Sequence, residues 1–249
     1  MRLLIVNPNT TVSMTERIGL AARAVAAQET EVVAVNPADG PASVEGYYDA
    51  AFSVPGLLEE IRKGEASSFD AYVIACFDDT GLEAARCLAR GPVIGICEAA
   101  CHVASLIATR FTVITTLPRS VPVLTQNLLK YGFDRYCPRV RAADVSVLEL
   151  EDPASDARSR IEAEIEQAIE VDRVEAVVLG CAGMTELPPA LEKRFGLPVI
   201  DGVGAAVKLA EAAHALGLAT SKVGGYARPL AKAYHGAFAQ HAPQVVGSE

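Results

Sequence analysis

D-A-Y-V-I-A-C-F-D-D-T-G-L-E-A-A, residues 70–85, lies without a gap on E-A-V-V-L-G-C-A-G-M-T-E-L-P-P-A, residues 175–190. Cys76 falls on Cys181, Thr80 on Thr185 and Leu82 on Leu187. Each copy is an apolar run closed by a cysteine and followed by a turn, which reads as a strand leading through a loop into a helix. Just downstream, P-V-I at 92–94 matches P-V-I at 198–200 with one residue of slippage, and Ala99-Ala100 matches Ala205-Ala206. The halves also open alike, since R-L-L-I-V-N at 2–7 lies on R-F-T-V-I-T at 110–115. Self-similarity at so long a period predicts two similar lobes.

Working outward, short apolar, β-branched runs recur at residues 3–6, 31–35, 71–75, 93–96, 112–115, 176–180 and 199–200. Good helix formers with apolar residues at three-to-four spacing fill 13–27, 54–63, 82–89, 158–169 and 204–216. Such alternation predicts an α/β fold, here two pseudo-symmetric lobes, each a parallel sheet flanked by helices. The expected division is 1–97 together with about 208–249 for the first lobe and 98–207 for the second, the last helix packing back on the first lobe. Ligands of open parallel sheets sit beyond the carboxyl ends of the strands. Both repeated cysteines end strands, so facing lobes would aim them into one shared cleft.

The chain has 249 residues, about half of them apolar, the profile of an ordinary globular protein. Its 22 Lys and Arg against 31 Asp and Glu leave a net charge of -9, which offers no basic stripe for nucleic acid and none for an anionic membrane. A small-molecule partner is expected. The apolar start, residues 3–6, is too short for a signal h-region or a spanning helix, so a cytoplasmic location is expected. Six cysteines without a C-x-x-C pair read as free thiols. Cys97, Cys101 and His102 invite a metal, but no second cluster completes a tetrahedral site, and none is expected.

A cysteine at a strand end, beside the free N–H groups of a following helix, is expected to have a lowered pKa and to serve as a base. Abstracting a proton beside a carbonyl also needs fixed donors for the developing oxygen charge. The turns Phe77-Asp78-Asp79-Thr80 and Ala182-Gly183-Met184-Thr185, with Thr115-Thr116, are the candidates. Two bases on opposite faces of one carbon would invert it, one taking a proton while the other returns one. Against this stands cysteine's habit of filling cores, the reading given to Cys87, Cys97, Cys101 and Cys137. For Cys76 and Cys181 the repeat alone leaves inherited packing and chemistry both open. Asp78 and Asp79 equally suit a cap on the helix they precede.

The segments N-P-N-T (7–10), P-A-S-V-E-G (41–46), V-I-A-C-F-D-D (73–79), G-P-V-I-G-I-C (91–97), F-T-V-I-T-T-L-P-R-S (111–120), V-L-G-C-A-G-M (178–184) and P-V-I-D-G-V (198–203) together resemble the hydantoin racemases of the aspartate/glutamate racemase superfamily. The resemblance spans nearly the whole chain. It implies two pseudo-symmetric α/β lobes with the active site between them, and catalysis without pyridoxal phosphate or metal. It assigns Cys76 and Cys181 as the acid/base pair and places Asn9, Ser43, Thr115, Thr116, Ala182 and Gly183 around the substrate ring. Phe77 and Asp78 are expected to contribute mainly backbone N–H groups. A homo-oligomer is implied as well. Allantoin, itself a 5-substituted hydantoin, is the alternative substrate, and a two-lobed binding protein with structural cysteines is the alternative of another class.

Overall fold

The computed structural model describes residues 1–152 and 154–243. The first sheet holds β1 (Arg2–Val6), β2 (Glu31–Val35), β3 (Ala71–Ile74) and β4 (Val93–Gly95) in the order β2-β1-β3-β4. The second holds β5 (Phe111–Thr115), β6 (Val140–Ala142), β7 (Ala176–Gly180) and β8 (Val199–Asp201) in the order β6-β5-β7-β8. All these pairings are parallel. Leu3 pairs with Ala71 as Phe111 pairs with Ala176, and Tyr72 pairs with Val93 as Val177 pairs with Val199. Those are the positions that the sequence repeat makes equivalent, so the duplication extends to hydrogen-bond register.

Alternate residues of each strand serve different cores, as the two faces of a covered sheet require. Leu4, Val6, Tyr72 and Ile74 face outward onto Leu57 and Ile61 of α2 (Tyr47–Ala66) and Leu82 and Ala85 of α3 (Leu82–Leu88). In the second lobe Ile114, Val177 and Leu179 meet Ile161 and Ile165 of α6 (Ala157–Gln167) and Leu191 of α7 (Pro188–Phe195). The inner faces, with Leu3, Ile5, Val73, Phe111, Val113 and Val178, share one central core. It is filled by α1 (Val12–Val25), α4 (Ile96–Ile107), α5 (Val121–Tyr131) and α8 (Gly202–Ala215).

Two of these helices are exchanged. α4 leaves β4 of the first sheet yet lies against β7 and β8 of the second, while α8 leaves β8 and lies against β3, β4 and α1. Their small residues allow close crossing: a Cβ on Gly202 would come 2.8 Å from the Ile96 carbonyl oxygen. α2 starts well before the expected residue 54, and Pro55 lies inside it. The carbonyl that this proline leaves without a donor belongs to exposed Ala51, where solvent can serve it. From the end of α8 to residue 243 the chain runs along the first lobe without long helix or strand, fastened where Thr220 N–H donates to the Arg90 carbonyl at 3.0 Å. No helix among the described residues is long and apolar enough to cross a membrane.

Candidate active site

β1, β3, β5 and β7 end at the same side of their sheets, and the loops beyond them face one another. Cys76 follows β3 and Cys181 follows β7, the equivalent strand of the other sheet. Both thiols line one small cavity together with Asn9, Phe77, Asp78, Thr115, Thr116 and Ala182. Ser43 does not line it, but its neighbour Val44 does. Gly183 stands behind the wall, its N–H donating to Cys181 Sγ at 3.4 Å. The walls gain Asn7, Met14, Ser120 and Val147, which sequence reasoning missed. Asn7 and Ser120 belong to segments already singled out, N-P-N-T and T-T-L-P-R-S. Val147 lies in a stretch without a repeat partner or periodicity to mark it.

The Asn7-Pro8-Asn9 turn is held by its own side chains. Asn9 Oδ1 accepts from Asn7 Nδ2 at 2.9 Å and from the Thr11 N–H at 2.9 Å. The Thr115 hydroxyl donates to the Gly180 carbonyl at 3.3 Å, tying the ends of β5 and β7 together. Across the cleft, Glu45 accepts the Val147 N–H at 2.8 Å and Asn127 Nδ2 donates to the Asp78 carbonyl at 2.9 Å. Glu151 accepts from the Ser13 hydroxyl at 2.6 Å and pairs with Arg17. The cavity between these ties is about 30 Å³, room for one or two waters rather than for an organic ring. A larger groove of about 650 Å³, between α2 and Phe238, Gln240 and His241, contains neither repeated cysteine.

The electrostatics overturn one expectation. Burial pushes the Cys76 thiol far above its ordinary value, and the neighbouring Asp78 carboxylate adds to the effect. Burial likewise pushes Cys181 up to about 11, although the Gly183 N–H opposes it. Neither cysteine sits at the start of a long helix: α3 begins only at Leu82 and α7 at Pro188. Desolvation therefore outweighs the few N–H groups that favour thiolate. Burial also raises Asp78, to about 6, so it is anionic at neutral pH and bears on both thiols.

Asp79 departs from the helix-cap reading in an informative way. α3 has Gly81 at its N-cap and no side-chain cap. Asp79 instead turns its buried carboxylate to α4, accepting from Cys97 N–H at 3.1 Å and Glu98 N–H at 2.9 Å. The other cysteines pack: Cys97, Cys101 and Cys137 are buried, and half-buried Cys87 lies 3.6 Å from the Gly225 carbonyl. Tyr226 meets Arg86 at 3.3 Å, away from the cavity.

Two thiols that line one cavity, each with a local backbone donor, can exchange a carbon-bound proton. The profile of the Asp/Glu/hydantoin racemase family matches residues 3–210. The hydantoin racemase of Rhizobium meliloti is 55% identical over 236 residues, 95% of this chain and 98% of that one. Among solved structures, the allantoin racemase of Klebsiella pneumoniae is 49% identical with a TM-score of 0.95, over 98% of this chain and all of that one. The allantoin racemase of Pseudomonas fluorescens is 40% identical with a TM-score of 0.91, over 95% and 100% of the two chains.

Proposed function

The chain belongs to the Asp/Glu/hydantoin racemase family and is a racemase, and from that premise we propose that it racemises 5-monosubstituted hydantoins with Cys76 and Cys181 as opposed acid and base. The observation that carries the reading is that two cysteines at equivalent strand ends line one cavity. One thiolate removes the C5 proton, and the electron pair left on C5 spreads into the adjacent ring carbonyl. The opposite thiol then protonates C5 from the other face, and the two sulfurs have exchanged roles. The ring carbonyl supplies the acidity, so the chemistry calls for neither cofactor nor metal.

The surroundings suit that charge flow. Gly183 N–H and Asp78 N–H serve the two sulfurs, which leaves the backbone N–H groups of Phe77, Ala182 and Thr116 as the candidate donors for an enolate oxygen, fixed before reaction and costing little reorganisation. Asn9 bounds the ring from the first lobe, with Val44 in the place expected of Ser43. The reading further takes the enzyme as a cytoplasmic homo-oligomer with a small-molecule substrate.

One enantiomer of 5-benzylhydantoin in deuterated buffer should lose optical rotation as deuterium enters C5. Cys76→Ser and Cys181→Ser should each lower turnover by at least about a thousandfold, because removing either base or acid removes a whole step. Retained rotation with wild-type protein would sink the proposal. Likeness to two allantoin racemases favours allantoin as the second reading. Initial rates on allantoin and benzylhydantoin decide between them.

A further inference from the structure

The two halves cap equivalent helices with carboxylates taken from different places. In the second lobe, Asp201 ends β8 and caps the helix it opens, accepting from Val203 N–H at 3.2 Å and Gly204 N–H at 2.7 Å. The equivalent residue in the first lobe is Gly95, since Ile74 pairs with Gly95 as Leu179 pairs with Asp201. A Cβ on Gly95 would lie 2.3 Å from Asp79 Oδ1. Asp79 thus occupies the space that an aspartate at position 95 would need, and it serves the equivalent pair of N–H groups, those of Cys97 and Glu98. Its counterpart in the second lobe is Met184, which has no carboxylate to offer.

Moving the cap from the strand end to the cysteine loop links that loop to other elements. The Asp79 N–H donates to the Cys76 carbonyl at 2.9 Å, closing the turn that carries the thiol. The Tyr131 hydroxyl of α5 donates to Asp79 Oδ2 at 2.8 Å. Asp79 has φ +51, left-handed backbone that is uncommon outside glycine and that aspartate and asparagine tolerate best. With the Leu82 N–H on the Asp79 carbonyl at 3.2 Å, five hydrogen bonds converge on one residue, three of them on its carboxylate. They fix the Cys76 turn to α4, which covers the second sheet, and to α5. The Cys181 turn is closed by the equivalent backbone bond, Met184 N–H to the Cys181 carbonyl at 3.1 Å, and by Gly183 N–H on its sulfur; Met184 packs into the apolar core, and among the described residues no side-chain carboxylate ties this turn to a helix.

We propose that Asp79 is a positioning residue that pins the Cys76 turn to α4 and α5, holding one thiol of the pair in place through a polar anchor that the Cys181 turn does not share. The proposal rests on the two-thiol reading above. Glu98 and Cys97 of α4, Tyr131 of α5, and Cys76 and Asp78 of its own loop are the titratable groups around the carboxyl. No salt bridge reaches it among the described residues. Burial raises Asp79 to about 7 against the pull of its donors. The pin needs the carboxylate, so it loosens as pH falls through about 7.

The test separates capping from positioning. Asp79→Gly keeps the left-handed backbone unstrained and clears the space beside Gly95. Adding Gly95→Asp then recreates on α4 the cap found on α8. The double variant should regain wild-type Tm, while kcat stays at least tenfold down with KM within twofold. Site-resolved alkylation should show Cys76 altered and Cys181 unchanged. Tyr131→Phe, which leaves the cap in place, should lower kcat severalfold and move the acid limb of the pH profile upward. Recovery of kcat together with Tm in the double variant would overturn the proposal, as would equal changes at both thiols. If wild-type protein fails to racemise hydantoins, the alkylation pattern still reads the pin alone.

Discussion

A thiol held away from water gives up its proton reluctantly, and both cysteines of this cleft are so held. Their folded-state pKa values are raised, so at neutral pH the site carries neutral thiols and only a small fraction of thiolate. Activity that needs one thiolate must rise with pH. We expect kcat/KM to climb by close to a factor of ten per unit between about pH 7.5 and 9.5, read from initial rates of rotation loss; a flat profile would show that the base ionises below this range. Asp78 contributes charge of the wrong sign for a thiolate. Asp78→Asn should therefore quicken iodoacetamide alkylation of both Cys76 and Cys181 severalfold at pH 8, and unchanged rates would place its carboxyl too far away to matter. The sequence showed which cysteines to suspect because they coincide in the repeat. Their ionisation was not legible, because it depends on burial by loops from both lobes.

The elements that sequence displayed clearly were those whose residues are buried on both faces. β3 and β7 read directly from A-Y-V-I and A-V-V-L-G because continuous apolar runs are what doubly covered parallel strands require. β6 escaped, being a three-residue edge strand, V-R-A, whose Arg141 is spent on Asp172. α5 escaped because V-P-V-L-T opens it with proline and β-branched residues, which suit a strand or turn as well as a helix. The capping exchange between Asp79 and Asp201 belongs to this scale too, since it shows only once strand register is known. Asp201→Ala should remove the cap of α8 at a cost of about 1 kcal/mol. By calorimetry that is a fall in Tm of about 3 °C for a chain of this size. No loss would mean that water or a neighbour replaces the carboxylate.

At the scale of the whole molecule, the two-lobed plan was legible and the state of the cleft was not. Ties between lobes join residues far apart in sequence, Ser13 and Arg17 with Glu151, Glu45 with Val147, and nothing in their local sequence announces them. With a cavity of about 30 Å³ between the thiols, a ring enters only after the walls part and is then enclosed. Glu151→Ala removes a charged tie from the enclosed form. A charge-assisted hydrogen bond of this kind contributes about 1.5 kcal/mol, so KM should rise by about an order of magnitude with kcat nearly unchanged. An unaltered KM would move the opening to another part of the rim. We retain the lobe division of 1–97 with 208–249 against 98–207 as our reading.

The exchange of α4 and α8 has a consequence for inheritance. Each half of the chain carries a helix that fits the other half's sheet and leaves its own inner face only partly covered, by α1 in the first half and α5 in the second. Two polypeptides, 1–108 and 109–249, should each aggregate when made alone and should assemble into a racemase when made together; a soluble, folded fragment from either gene would refute this. A duplicated gene that reached such an arrangement had given up the freedom to discard either copy.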